Sequence, residues 1–113
     1  MNLPEKYKAI VLPEYNPNFI RAMLSLKLSE KRLIEPKAGE VLVKMSASPC
    51  NPSDLAFMQG SYNIKKETPV VPGFEGTGVV VATGNHSGAE SLMNKRVSCF
   101  TQHQGDGTWA EYF

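Results

Sequence analysis

One acidic residue, Glu75, stands where the backbone has unusual freedom on both sides. The segment Pro69-Val70-Val71-Pro72-Gly73-Phe74-Glu75-Gly76-Thr77-Gly78 runs directly into Val79-Val80-Val81. Glycine opens backbone conformations closed to other residues, while proline fixes φ and removes an amide donor. The segment therefore reads as a tight, turn-rich approach that delivers Glu75 to the mouth of a buried strand. That placement suits a site better than a core. The stretch is rich in glycine but enters a valine strand rather than opening a helix, so it is not a phosphate loop. No Gly-x-Gly-x-x-Gly follows a strand elsewhere in these residues. Other reactive side chains are sparse. Cys50 and Cys99 have no second cysteine at a metal-knuckle spacing, and two thiols are expected rather than a disulfide. His86 and His103 fall in loops without paired ligand spacing.

The elements that must position Glu75 are short. Lys8 to Leu12 is an apolar run stopped by Pro13 and reads as a first strand, and Glu14 to Phe19 reads as a turn region. Leu24-Ser25-Leu26-Lys27-Leu28 alternates and predicts a strand with one buried face. After a loop over Ile34 to Glu40, Val41, Val43, Met45 and Ala47 share one face of another strand. Asn51 to Met58 predicts one or two helical turns, with Asn51 as cap, Pro52 at the first helical position and Gly60 closing the segment. Thr77 to Thr83, Arg96 to Phe100 and Thr108 to Phe113 complete six strands. Little helix and frequent Gly/Pro turns predict a mainly β fold, a small barrel or sandwich.

Bulk properties narrow the function classes. A chain of 113 residues fits one domain, and 42% hydrophobic with 20% charged residues is ordinary for a globular protein. A net charge of +1 gives no electrostatic case for nucleic acid or for an anionic membrane. Lys65-Lys66 and Lys95-Arg96 are only pairs and read as solvated surface. The start, Met1 to Lys6, lacks the basic-then-apolar pattern of a signal peptide, and no apolar run approaches the ~20 residues of a membrane helix. A cytoplasmic protein with no membrane partner is the expectation.

Six segments in order carry a family likeness: Gly39 to Lys44, Asn51 to Leu55, Gly60-Ser61-Tyr62, Pro72 to Val80, Lys95-Arg96-Val97, and Gly107 to Tyr112. Together they resemble the N-terminal catalytic domain of the medium-chain dehydrogenase/reductase superfamily, whose GroES-like fold is a partly open β-barrel. In its zinc alcohol dehydrogenases a cysteine ligand stands where this chain has Asn51, and Gly-His-Glu where it has Gly73-Phe74-Glu75. An amide and a phenyl ring are poor substitutes for a thiolate and an imidazole. The structural-zinc cysteines are also missing before Gly107-Thr108-Trp109. The resemblance therefore implies the zinc-independent branch, NADPH:quinone oxidoreductases and 2-enoyl thioester reductases.

The likeness also assigns expected roles. Tyr62 falls where the enoyl reductases have their proton donor, and Asn51 would hold the nicotinamide or the substrate carbonyl. Ser53 would serve in local capping, Asp54 in helix and loop geometry, Phe74 in filling volume or lining the pocket, and Glu75 in supporting the site by hydrogen bonding. Trp109 reads as core. Residues 1–113 would form the GroES-like domain, with the Rossmann domain that binds NADPH or NADH outside this chain. The chain would then be an excised or truncated piece, inactive alone, of a homodimeric parent that takes a quinone or enoyl compound. Two alternatives remain: a zinc alcohol dehydrogenase domain with displaced ligands, and a free-standing GroES-like binding or oligomerisation module.

Overall fold

The computed structural model describes residues 2–113. Strand β1, Lys6–Val11, pairs antiparallel with β2, Lys27–Arg32, from Lys6 opposite Arg32 to Val11 opposite Lys27. Between them lies helix α1, Phe19–Ser25, which corrects the strand expected over Leu24 to Leu28. Asn18 caps it, its side chain accepting the Arg21 amide at 3.0 Å. A five-residue alternation is too short to separate a strand from a helix end, and here the cap and the inward-facing Ala22 decide. Leu24 is left 81% exposed and Leu28 lies exposed on β2, so the expected single buried face does not form.

A second antiparallel sheet holds β3, Val41–Ala47, against β4, Glu75–Thr83, and β4 against β5, Arg96–Phe100. Register shifts between Leu42 and Val43 and between Met45 and Ala47 bend β3 along its length. Helix α2, Pro52–Gln59, connects β3 towards β4, and a single turn, α3, Ser87–Glu90, follows β4. The turn had no expected counterpart. It uses His86 as its cap, with Nδ1 accepting the Gly88 amide at 3.1 Å.

The expected sixth strand, Thr108 to Phe113, is present as isolated bridges rather than a ladder. Its hydrogen bonds alternate between the two sheets. Ile10 donates to the Trp109 carbonyl and Glu111 to that of Lys8, each at 2.9 Å, while Met45 donates to the Glu111 carbonyl at 2.8 Å and Phe113 to that of Val43 at 2.9 Å. This segment stitches the sheets together without closing them, and the fold is mainly β, a partly open barrel as predicted. One core cluster gathers Leu12, Ala22, Phe57, Met58, Val70 and Phe74; another gathers Val43, Val80 and Cys99. Among the described residues, no helix is long and apolar enough to cross a membrane.

Candidate functional site

Helix α2 sets the first side of the site. Asn51 takes the extended cap conformation, and the Asp54 carboxylate accepts its backbone amide at 2.8 Å. Gly60 ends the helix in the left-handed region at φ 76°, a conformation open to glycine at little cost. Asp54 is only 1% exposed, and its Oδ1 has no hydrogen-bond partner. Burial pushes its carboxyl above the usual range; the Asn51 and Phe74 amides pull it back, and Glu75 adds to the rise. Ser53 stands half-buried in the first turn of α2, and the cap is made by Asn51 and Asp54 without its hydroxyl.

The turn into β4 sets the second side. Gly73 has φ 104°, and a Cβ there would collide with Thr108 Oγ1 and Trp109 Cδ1. That close approach lets the Gly107 to Trp109 segment grip the turn. Thr108 donates its amide to the Gly73 carbonyl at 3.1 Å and its hydroxyl to the Glu75 carbonyl at 2.8 Å. Thr101 donates to the Phe74 carbonyl at 2.7 Å. With the backbone held at three successive residues, the side chains of Phe74 and Glu75 have fixed and opposite fates. Phe74 is 4% exposed and packs into the core. Glu75 is exposed, and its Oε1 accepts from Asn51 Nδ2 at 3.0 Å. It also lines a groove of about 550 Å³ shared with Ser48, Pro49, Gly76 and Phe100.

Tyr62 joins this set through Phe74. The two rings lie 5.4 Å apart, tilted by 39°, and Tyr62 remains half-buried. Phe74 also meets Phe57 edge-on at 5.4 Å, and Phe57 meets Tyr15 in the same way at 5.3 Å. Tyr62 and Phe74 thus make one contact and Asn51 and Glu75 another, the two pairs being linked through the chain at Phe74–Glu75, and Ser53 stands on the helix that Asn51 caps. Trp109 is half-buried against the same core cluster and donates its ring N–H to the Pro49 carbonyl at 3.1 Å.

One member of the site's surroundings was missed. Lys66, expected on the solvated surface with Lys65, is 6% exposed. Its ammonium donates to the Gly105 carbonyl at 3.0 Å and lies over the Phe74 and Phe57 rings. Only Lys65 behaves as expected. Nothing in the pair Lys65-Lys66 distinguishes the two, because the partners of Lys66 lie far away in sequence.

The donor types at the two positions equivalent to zinc ligands do not fit a zinc centre. The Asn51 amide is engaged by Glu75, and Phe74 offers a phenyl ring. Cys50 and Cys99 are both free thiols, one exposed and one buried. Burial raises the pKa of the Cys99 thiol. Among the described residues no three His, Cys, Asp or Glu side chains converge as metal donors.

These features have close parallels in known proteins. The model of the alcohol dehydrogenase GroES-like domain matches residues 37–113. The mitochondrial enoyl-acyl-carrier-protein reductase of Xenopus tropicalis is 46% identical over 84 residues, 74% of this chain and 23% of that protein. The Arabidopsis thaliana protein of the same name is 38% identical over 106 residues, 93% of this chain and 26% of its own length. Among solved structures, a Mesorhizobium loti protein assigned as an NADPH:quinone reductase superposes with a TM-score of 0.82 at 34% identity. That match covers 99% of this chain and 35% of the other. The chain spans about a quarter of the length of these curated relatives. With its gripped Gly73 turn, its capped α2 and its stitched sheets, this chain belongs to the alcohol dehydrogenase GroES-like domain family.

Proposed function

We propose that these residues are the catalytic domain of an oxidoreductase that uses reduced nicotinamide nucleotide, and no metal, to reduce quinones or carbon–carbon double bonds conjugated to a carbonyl. Enoyl thioesters are the first substrates to try, since two similar proteins carry the name enoyl-acyl-carrier-protein reductase. The observation that carries the reading is the Asn51–Glu75 pair, an amide and a carboxylate joined at 3.0 Å where a zinc site would need a thiolate, with Tyr62 packed on the ring of the neighbouring Phe74.

The reaction needs a hydride at the β-carbon, stabilisation of the enolate that results, and a proton at the α-carbon. The nicotinamide supplies the hydride when bound. This chain's residues would do the rest. The Asn51–Glu75 pair offers the donor and acceptor types that match a carboxamide or a carbonyl. Glu75 fixes which way the Asn51 amide presents itself. Tyr62 donates a hydrogen bond to the developing negative charge and then its phenolic proton, leaving a phenolate that water reprotonates. Phe74 excludes water from beneath the Tyr62 ring. The glycine-rich approach leads into β4 rather than a helix, so we assign the nucleotide's phosphates to a second domain outside these residues.

The test uses the full-length protein that contains this chain. NADPH oxidation is followed with an enoyl thioester and with a quinone, before and after chelation, with zinc measured in the same preparation. Reduction that survives chelation without stoichiometric zinc is the expected result. Alcohol oxidation that depends on bound zinc would overturn the reading in favour of a zinc dehydrogenase.

A further inference from the structure

Beneath the Phe74 ring lies a charge that the proposed reaction does not use. Lys66 sits four residues after Tyr62 on the irregular segment that joins α2 to β4. Its backbone is held on both sides of the Cα: the Tyr15 hydroxyl accepts from the Lys66 amide at 2.6 Å and donates to the Lys66 carbonyl at 2.8 Å. Its side chain turns inward. The ammonium donates to the Gly105 carbonyl at 3.0 Å and stands 5.7 Å from the centroid of Phe74 and 6.0 Å from that of Phe57. Asp106, next to that carbonyl, accepts the Val71 amide at 3.0 Å and is ion-paired with Lys31 on β2.

An ammonium withdrawn from water is unfavourable, and a methionine of similar length would fill the same space without that cost. Burial lowers the Lys66 pKa, and Asp106 opposes the drop. What the ammonium provides, and a methionine would not, is a directed bond to Gly105 and an attraction to two ring faces. Both act on the surroundings of Tyr62. The bond ties the Tyr62 segment to the loop that precedes Thr108. The ring contact holds Phe74, the surface on which the Tyr62 ring rests at 5.4 Å.

We infer that Lys66 is a positioning residue for Tyr62, setting the tilt and placement of the phenol through Phe74 and through the tie to Gly105. The inference rests on the reading of Tyr62 as proton donor. It predicts a role in turnover rather than in binding, because Lys66 is too buried to touch a substrate, and a small misplacement of a reacting group costs rate steeply.

The experiment is a double-mutant cycle in the full-length protein with an enoyl thioester and NADPH. Lys66→Met should lower kcat by about 10-fold while the KM for NADPH stays within about 2-fold. Lys66→Arg, which keeps the charge and the donors, should recover most of the loss. In a Tyr62→Phe background the same Lys66→Met change should alter kcat by less than about 2-fold. An equal loss in both backgrounds would overturn the inference, making Lys66 a general structural residue. So would wild-type kcat in folded Lys66→Met. If that variant does not fold, Lys66→Gln, which keeps one donor towards Gly105 but no charge, is put through the same cycle and judged by the same two criteria. A fluorotyrosine resonance at Tyr62 separates the two claims. If Tyr62→Phe turns over normally but Lys66→Met shifts that resonance, the proton-donor reading fails and the positioning stands. If the resonance does not move, the positioning fails whatever the fate of the proton donor.

Discussion

The two sides of Phe74 use the same kinds of polar group for opposite purposes. On the outer side, Asn51 and the exposed Glu75 meet through one hydrogen bond, and Glu75 lines a groove. On the inner side, the buried Lys66 is engaged by Gly105, and its half-exposed neighbour Asp106 by Val71 and Lys31. A polar group near solvent can exchange partners at little cost and is free to meet a ligand. One withdrawn from water must keep the partners it has, because losing them leaves an uncompensated charge or donor. The difference teaches which residues to test by turnover and which by stability. The outer pair should matter for rate and hardly for folding, and the inner set the reverse, with Lys66 linking the two.

The sharpest way to break that division is at the turn itself. Gly73→Ala forces a Cβ into Thr108 and Trp109 at a φ of 104° and should cost about 4 kcal/mol. Gly39→Ala, at φ 82° with nothing near the new Cβ, should cost only about 1 kcal/mol. Urea midpoints compare the two, and equal losses would mean that the grip of Thr108 on the turn contributes nothing.

Asp106→Ala comes next. It strands the Val71 amide and removes the charge that opposes the drop in the Lys66 pKa, for a loss of about 2 kcal/mol in unfolding free energy. A loss below about 0.5 kcal/mol, the usual range for a surface change, would place Asp106 with the outer residues.

Asp54 lies between the two regions and gives a signature in pH. Burial raises its carboxyl above the usual 3.8, so its contribution to stability is present at lower pH and is lost as pH rises through the folded value. Wild type should therefore lose ground to Asp54→Asn as denaturation is repeated upward from about pH 4. A wild-type advantage that grows with pH would show the carboxylate to be stabilised instead.

The smallest expected change in stability is at Glu75→Gln. It should fall within about 0.5 kcal/mol of wild type, while reduction of an enoyl thioester slows by about 10-fold because the Asn51 amide loses its charged acceptor. Calorimetry and steady-state turnover on one preparation settle both halves.

What could be read from sequence follows the reach of the signal. The cap of α2 was legible because Asn51, Pro52, Asp54 and Gly60 state it within ten residues, and the structure uses all four. Strand β3 was legible from its alternation and β4 from its run of valines. Helix α1 was not, since Leu24, Leu26 and Leu28 fit a strand as well as a helix end, and Asn18 capping Arg21 settled the matter. That Phe74 would fill volume could be read from the sequence, but not that Phe57 and Tyr62 would be its partners. The burial of Lys66 depends on Tyr15, fifty-one residues away, and on Gly105, thirty-nine away. No local pattern encodes contacts of that separation.

The central claim, that Tyr62 supplies the proton at a metal-free site, is tested most directly by Tyr62→Phe in the full-length protein with NADPH affinity measured alongside turnover. The account predicts that enoyl thioester reduction falls by about 100-fold or more while NADPH binding is unchanged, since the substitution removes one hydroxyl and leaves the ring on Phe74 in place. Unchanged reduction of the enoyl thioester would contradict it and remove Tyr62 from the mechanism.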